Sequence, residues 1–257
     1  MRLSRTLLPF ALALLLGPLL AGCATLGGAN YVSLEEEWQL GQQLEADINR
    51  QVRLVDDATL QRYVEQVGQQ IVRETEMANL PWRFHVIADD EINAFNIPGG
   101  VVYVNTGLLA QSGSASEFVG ALSHEIAHGV ARHGTRRLSQ AYEANLLAAV
   151  VLGGNPGLVE QIAAQVVAQG AFASFSRADE READALAVQY MAGAGWDPEG
   201  LARLLERLVS QGGGIALFST HPAPQERAAN VRALSRGHTG RDDDGQFASV
   251  RSRAARY

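Results

Sequence analysis

Residues 124–128 read His-Glu-Ile-Ala-His, and this stretch decides the fold around it. In an α-helix, two histidines four positions apart lie about 6 Å apart along one face, so both imidazoles can reach one ion. Four apolar residues at helical spacing form a stripe on a different face, and they are Val119, Leu122, Ile126 and Val130. The sequence therefore predicts a helix over about 115–133 that is packed in the core on one side and presents a metal site on the other.

Glu125 directly follows the first histidine of this stretch. Its carboxylate can therefore reach a water molecule beside the ion and take a proton from it. Zinc is the ion that two histidines in this arrangement bind in metalloproteases. We predict one zinc ion per chain, with His124 and His128 as ligands and Glu125 as the general base.

A catalytic zinc ion usually has three protein ligands and one open position, so a third ligand is expected outside this stretch. A histidine six residues after His128 would indicate a metzincin, but residue 134 is glycine. We interpret His133 as a helix-end residue that the helix dipole favours. Glu180 and Asp184 lie four apart in a predicted helix and face the same way. Glu180 is a candidate ligand and Asp184 a candidate acceptor for a ligand imidazole, with a solvated charged helix face as the alternative.

The composition is that of an ordinary folded protein. The chain has 257 residues, an apolar fraction of 47% and a charged fraction of 19%, which suits one sizeable globular domain. The formal net charge is -7. We exclude a nucleic-acid partner, because the acidic chain has no basic stripe to contact phosphates.

Residues 1–22 have the pattern of a secretory signal peptide, in which two arginines precede an apolar run that is too short for a spanning helix. The run ends in Leu20-Ala21-Gly22-Cys23, which resembles the lipobox of bacterial lipoproteins and contains the only cysteine of the chain. We predict a lipid anchor on Cys23, with an ordinary cleavage site as the alternative, and a tether over 23–32. By resemblance to other bacterial lipoproteins, Ala24 rather than aspartate after the cysteine favours the outer membrane.

Residues 33–236 form the predicted folded domain, which is α+β and mostly helical, with a small β-sheet. Ser33 and Glu36 form a capping box at the start of its first helix. Residues 93–100 are a turn-rich connection, and residues 237–257 are expected to be a poorly ordered tail because their apolar content is low. Strands are predicted at 84–88 and 101–104, and further helices at 57–74, 137–152, 158–172, 176–193, 198–210 and 224–235.

Four blocks of the sequence occur in the same order as in a known family. They are Asn93-Ala94-Phe95 with Pro98-Gly99-Gly100 and Gly107-Leu108, His124 to His128 with Arg132-His133, Ser176-Arg177 with Glu180-Arg181-Glu182-Ala183-Asp184, and Thr220-His221-Pro222 with Arg227. In these blocks the chain resembles the zinc endopeptidases that include the heat-shock membrane protease HtpX, the CAAX prenyl protease and the mitochondrial protease Oma. The resemblance is greatest to the periplasmic lipoprotein members of Gram-negative bacteria.

This resemblance implies zinc ligation by His124, His128 and Glu180, with Glu125 as the general base. It implies that Asp184 supports the ligand set as the aspartate of the family's glutamate-x-x-x-aspartate motif. The implied fold is the gluzincin-like metalloprotease fold, with residues 124–128, called the pentapeptide below, on its active-site helix.

The resemblance also implies which residues border the substrate cleft. Asn93, the Pro98-Gly99-Gly100 turn and the strand at 101–104 are the candidates, and an exposed edge of that strand could hold an extended substrate through backbone hydrogen bonds. His221 is a catalytic candidate near the metal. It either stabilises the developing oxyanion or occupies the open zinc position until substrate displaces it, and a loop histidine before a proline is the alternative.

The implied function is that of a zinc-dependent endopeptidase that hydrolyses unfolded or misassembled cell-envelope proteins. The expected location is the periplasmic side of the outer membrane of a Gram-negative bacterium, with the lipid as the anchor. An outer-membrane protein assembly chaperone, with the same fold and little proteolysis, is the alternative. An exopeptidase requires a pocket for a terminal amine or carboxylate, and no residue in the sequence identifies one.

Overall fold

The computed structural model describes residues 30–141, 175–212 and 216–257. The predicted signal peptide, Cys23 and the helix predicted at 158–172 lie outside the described residues, as do most of the tether and of the helix predicted at 137–152. The elements are α1 Leu34–Gln51, α2 Ala58–Val72, β1 Arg83–Ile87, β2 Ala94–Ile97, β3 Val101–Asn105, α3 Thr106–Gln111, α4 Ala115–Val130, α5 Arg177–Gly193, α6 Glu199–Ser210, α7 Ala216–Thr220, α8 Pro224–Leu234 and α9 Phe247–Ala254.

The structure is mostly helical with one small sheet, as the sequence predicts. The capping box is confirmed, since Ser33 Oγ accepts from Glu36 N and the Glu36 carboxylate accepts from Ser33 N. Asp57 caps α2 in the same manner by accepting from Thr59 N. No helix among the described residues combines the length and the apolar character that crossing a membrane requires.

The sheet has three strands in the order β1-β3-β2, with β1 parallel and β2 antiparallel to β3. In β3, Val102 pairs with Phe84 on one side and with Asn96 on the other, so β3 is the central strand. The structure therefore corrects the prediction of an exposed edge at 101–104, because β1 and β2 are the edge strands and β2 is the one that lies beside α4. The four residues of β2 lie within the connection that we predicted as turns, and so short a run carries little strand signal.

Alternate residues of β3 face different layers, as the two-residue period of a strand requires. Val102 and Val104 face the main core together with α2 and α4. Val101 and Tyr103 face α1, where they pack with Leu44. The sheet is therefore covered by helices on both faces.

Helix α4 lies at the centre of the fold, and every residue from Ala115 to Gly129 is buried. It packs against α5 and α6, and also against β2 and α2. Of the predicted apolar stripe, Val119, Leu122 and Ile126 are fully buried, and Val130 is partly buried against the same core. Because the histidines and the glutamate of the pentapeptide are buried with the helix, they need partners inside the protein.

Residues 237–257 differ from the expectation of a poorly ordered tail, because they contain α9. Phe247, Val250 and Ala254 of this helix are buried against α2 and α3. The Phe247 ring lies 6.0 Å from the Phe118 ring and 6.0 Å from the Tyr63 ring. Burying a large apolar side chain contributes about 1.5–3 kcal/mol, so a three-residue stripe holds the helix although the average composition is polar.

Gly41 of α1 allows that helix to approach the turn between β2 and β3. A Cβ atom at this position would lie 2.2 Å from the carbonyl oxygen of Pro98 and 2.8 Å from the Cα atom of Gly99. Both are backbone atoms, which cannot rotate away as a flexible side chain can.

We expect Gly41→Ala to lower the free energy of unfolding by about 1–3 kcal/mol, because α1 and the turn must separate. Chemical denaturation measures this change. Gln42→Ala is the matched control, since the exposed neighbouring side chain should change stability by no more than about 0.5 kcal/mol. A Gly41→Ala protein as stable as the Gln42→Ala protein would contradict the close approach of α1 to the turn.

Candidate metal centre

Four buried side chains from three parts of the fold meet at one point, and they are His124, His128, Glu180 and His221. The two histidines of the pentapeptide lie on consecutive turns of α4, whose N-cap is Ser114. Glu180 lies in the first turn of α5, which Ser176 caps. His221 directly follows α7. The packing of α4 against α5 therefore brings together residues that are about fifty positions apart in the chain.

The distances within this cluster fit a single metal ion. His124 Nε2 lies 2.9 Å from His128 Nε2 and 3.2 Å from His221 Nδ1. Glu180 Oε1 lies 3.0 Å from His221 Nδ1 and 3.5 Å from His128 Nε2, and Glu180 Oε2 lies 3.5 Å from His124 Nε2. Ligands at about 2.0–2.1 Å from a tetrahedral ion are separated by about 3.3 Å. The four side chains could therefore hold a metal, and the candidate ligands predicted from the sequence are brought together.

Asp184 and Arg227 support the His124 side of the cluster. Asp184 Oδ1 lies 3.0 Å from His124 Nδ1, the nitrogen that faces away from the other candidate ligands. Arg227 Nε and Nη2 donate to the two oxygens of Asp184 at 2.9 and 2.7 Å. Arg227 Nη1 also forms an ion pair with Glu180 Oε2 at 2.6 Å, without the alignment of a hydrogen bond. One buried guanidinium therefore fixes two carboxylates of the centre.

The His128 side of the cluster is supported differently. His128 Nδ1 lies 2.7 Å from His133 Nδ1, and the Phe175 ring stacks on the His128 ring at 3.9 Å between centroids. His133 is fully buried, whereas we interpreted it as a helix-end residue favoured by the dipole. Its side chain contacts a candidate ligand because Arg132, at φ 55°, turns the chain back after α4.

Glu125 lies beside the cluster rather than in it. Its Oε2 accepts a hydrogen bond from the backbone N–H of Asn96 in β2 at 3.2 Å, and its Oε1 lies 3.4 Å from His221 Nε2. A pocket of about 90 Å³ opens next to it, and the residues that line it are Asn93, Phe95, Asn96, Glu125, Phe175, Thr220 and His221. The carboxylate is therefore positioned between the cluster and a space that a small group can enter.

Burial has the largest single effect on the pKa values of Glu125, His128 and Glu180, because it disfavours the charged form of each. It raises the pKa of Glu125 and lowers the pKa of His128 well below its usual value. Burial also opposes the ionisation of Glu180, but hydrogen bonds from His124, His128 and His221 outweigh it and hold the pKa of this carboxyl far below its ordinary range. His128 is therefore neutral and Glu180 ionised, which are the forms that bind metals.

His124 behaves differently from His128. Burial and the nearby Arg227 guanidinium lower its pKa, but hydrogen bonds to Asp184 and Glu180 outweigh them and raise the pKa of His124 to about 9. A positive charge is therefore favoured at this position, and an incoming cation replaces a proton there.

The residues that the resemblance places at the substrate cleft lie in two separate parts of the structure. Asn93 lines the pocket beside Glu125. The Pro98-Gly99-Gly100 turn lies instead against α1, where Gly99 contacts Gly41 and Gly100 contacts Trp38. Gly99 and Gly100 have φ of 85° and 69°, which explains why glycine stands at both positions.

Several groups that the structure brings to the centre had no role in the sequence-based predictions. Arg227 was part of the resembling blocks, and its position three residues from a helix-starting proline gives no hint of an ion pair with α5. The Asn96 N–H is a backbone group, and no side-chain pattern could identify it. His133 was also part of the resembling blocks, but its position at the end of a predicted helix gave no sign of a contact with His128.

Residues 58–235, which are most of the chain, match peptidase family M48. The chain is 28% identical over 250 residues to a beta-barrel assembly-enhancing protease of Yersinia pestis, with 85% of this chain and 51% of the relative covered. It is 30% identical over 211 residues to the mitochondrial metalloendopeptidase OMA1 of Schizosaccharomyces pombe, with 79% of this chain and 62% of the relative covered.

A third relative is the metalloprotease YcaL of Escherichia coli, which is 29% identical over 158 residues, with 59% of this chain and 61% of the relative covered. The chain spans about half the length of the beta-barrel assembly-enhancing proteases that it matches. The family match runs through α4, α5, His221 and Arg227, and thus through the whole candidate metal centre. This chain therefore belongs to peptidase family M48.

Proposed function

We propose that the protein is a zinc-dependent endopeptidase. The observation that carries the proposal is the buried cluster of three histidines and one glutamate with Glu125 beside it. Nitrogen and carboxylate ligands in a nearly tetrahedral arrangement are what zinc prefers. Membership of a peptidase family supports peptide hydrolysis, and so do the names of the two relatives called metalloendopeptidase and metalloprotease.

In this proposal each residue of the centre has one task. When bound, the metal supplies a Lewis acid that polarises the scissile carbonyl and makes water a stronger nucleophile near neutral pH. His124, His128 and Glu180 hold it. Glu125 takes the proton of the attacking water and returns it to the leaving amine. The hydrogen bond from Asn96 N holds the Glu125 carboxylate in place for both transfers.

The outward edge of β2, where Glu125 accepts a hydrogen bond from Asn96 N, is the proposed binding site for the substrate backbone. Asn105 N donates to Asn93 O, so every second residue of β2 bonds to β3 and the backbone groups of Ala94 and Asn96 point away from it. The outward edge therefore runs past Glu125. An extended peptide that pairs with this edge passes the general base along its length, as an endopeptidase substrate does.

His221 is proposed to keep the enzyme closed. Its Nδ1 lies 3.2 Å from His124 Nε2 and 3.0 Å from Glu180 Oε1. At these distances His221 would be the fourth ligand of a metal held by His124, His128 and Glu180. Catalytic zinc sites need the fourth position for water and substrate. Of the two roles considered for His221, this geometry favours the occupant of the open position over the oxyanion donor.

The proposed location is the periplasmic side of the outer membrane of a Gram-negative bacterium, with Cys23 as the lipid anchor. The lipobox-like sequence at residues 20–23 supports an anchor. The similarity to beta-barrel assembly-enhancing proteases supports unfolded or misassembled envelope proteins as substrates. An edge strand that binds through backbone groups also suits such substrates, because it accepts many different sequences once they are extended.

We expect Arg227→Met to lower the free energy of unfolding of the zinc-free protein by about 3–5 kcal/mol, because Asp184 and Glu180 lose their buried cation. Denaturant unfolding measures the change. Arg232→Met in the same helix is the matched control, because its partner Glu206 is half exposed and such an ion pair contributes at most about 1 kcal/mol. Similar losses in the two variants would show that Arg227 does not hold the centre together.

The test of the enzyme is cleavage of an unfolded protein by the mature, lipid-bearing chain in detergent. Glu125→Gln should reduce the rate by about 10²- to 10⁴-fold at equal zinc content, because the amide cannot take a proton. A chelator should abolish cleavage by the wild type. Glu117→Gln is the control, since this buried glutamate of α4 pairs with Arg207 and lies outside the metal centre.

Cleavage at the same rate by the Glu125→Gln and wild-type proteins would remove the general base from the proposal. A Glu125→Gln protein that still rescues a strain lacking the gene would favour the assembly chaperone.

We expect His221→Ala to raise the turnover of a short peptide, because the occupant of the fourth position is lost. If fewer than about one molecule in ten is open in the wild type, the rise is about tenfold or more. Steady-state cleavage at equal zinc content measures it, with the exposed His238→Ala as control. A fall in turnover would instead assign His221 to stabilising the oxyanion.

A further inference from the structure

His128 and His133 face each other through the same ring atom. Their Nδ1 atoms lie 2.7 Å apart, and both side chains are fully buried. Two nitrogens at this distance form a hydrogen bond only when one of them carries a proton and the other is an acceptor. The contact therefore fixes one tautomer in each ring.

The direction of this hydrogen bond follows from the other nitrogen of His128. Its Nε2 points into the cluster, 2.9 Å from His124 Nε2 and 3.5 Å from Glu180 Oε1. A nitrogen that ligates a metal carries no proton, so the proton of His128 lies on Nδ1. His128 therefore donates, and His133 accepts at Nδ1 and carries its own proton on Nε2.

The surroundings of His133 Nε2 suit a donor. Glu182 Oε2 lies 3.2 Å away, and Asp179 Oδ1 lies 3.7 Å away. Arg136 Nη2 donates to both of these carboxylates, at 2.8 Å to Asp179 and 3.2 Å to Glu182. The acceptor for His133 is thus held in place from its outer side.

We propose that His133 is a positioning residue, which holds the His128 ring in the tautomer and orientation that ligate the metal through Nε2. The proposal rests on the metal-dependent function proposed above. In this arrangement the two histidine ligands have different hydrogen-bond partners. The partner of His124 is the carboxylate of Asp184, and that of His128 is the imidazole of His133. A hydrogen-bond partner of this kind typically changes metal affinity by about 10- to 100-fold.

Two local contacts hold the turn that places His133 against His128. Arg132 has a φ of 55°, a conformation that favours glycine, and it is held there by hydrogen bonds to Glu37 Oε2 and Val32 O, each at 2.6 Å. Thr135 Oγ1 donates to the same Glu37 carboxylate at 3.0 Å. The turn that places His133 is therefore fixed from α1.

His133, Asp179 and Glu182 also form a group whose atoms could converge on a second metal ion. The Arg136 guanidinium already binds both carboxylates of that group, so a cation there would face a fixed positive charge. We therefore assign this group to hydrogen bonding rather than to a second metal site. Counting the zinc ions bound per chain tests this assignment, and we expect one.

The first experiment needs no substitution. Long-range ¹H–¹⁵N NMR of the zinc-loaded, full mature chain with labelled histidine reports which ring nitrogen carries the proton. We expect the proton on Nδ1 of His128 and on Nε2 of His133. A proton on Nδ1 of His133, or two zinc ions per chain with His133 Nε2 unprotonated, would overturn the proposal.

The second experiment compares His133→Leu with His133→Gln, whose amide can accept from His128 and donate to Glu182. Chelator competition should show zinc affinity about 10- to 100-fold lower in His133→Leu and mostly restored in His133→Gln. His85→Leu is the matched control. His85 lies on β1, away from the cluster, and pairs with Glu45 of α1, so its loss should leave zinc affinity unchanged.

The outcomes separate this proposal from the proposed function. A wild-type protein that binds no zinc removes the proposed function itself. Wild-type zinc affinity in His133→Leu, or equal losses in the leucine and glutamine variants, overturns only the role of His133. If His133→Leu does not fold, as judged by circular dichroism, the NMR measurement on the wild type still decides the question.

Discussion

The structure depends on keeping three carboxylates buried around one helix. Glu125, Glu180 and Asp184 are each at most 2% exposed, and the burial of an unpaired carboxylate costs several kcal/mol. Arg227 supplies one positive charge to this group. In the metal-free protein His124, whose pKa is raised to about 9, supplies a second positive charge beside Asp184 and Glu180. A divalent cation that takes the place of this proton balances the two carboxylate charges that Arg227 leaves. The charge balance and the ligand distances therefore point to the same kind of occupant.

Much of this centre could be predicted because its determinants are local. His124 and His128 are four positions apart on a helix with an apolar stripe, so their shared face could be assigned from spacing. Glu180 lies in the first turn of a helix capped by a serine, and its spacing from Asp184 left a solvated charged face as the alternative. The contact between the two helices could not be derived in this way, and it came from the resemblance to a family.

The parts that the sequence did not reveal depend on backbone conformation and on distant packing. The edge position of β2 follows from the order of three strands, and no single strand encodes that order. The hydrogen bond from Asn96 N to Glu125 involves a backbone group that every non-proline residue has. Helix α9 was missed because its Phe247 is buried by Tyr63 and Phe118, which are far away in the chain.

In the proposed mechanism, the positions of His221 and Arg227 would let the centre open while His124, His128 and Glu180 stay in place. Ala223, at φ 60°, separates His221 from α8, and a non-glycine residue in this conformation is held at a cost of roughly 1–2 kcal/mol. Relaxation at this position would move His221 while α8 stays packed against α5 and α6. Arg227 would then keep its contacts with Asp184 and Glu180, so the charge balance survives the movement. If His221 occupies the fourth ligand position, as proposed, a histidine on the loop and a cation on the adjoining helix would allow that position to change while the other three remain fixed.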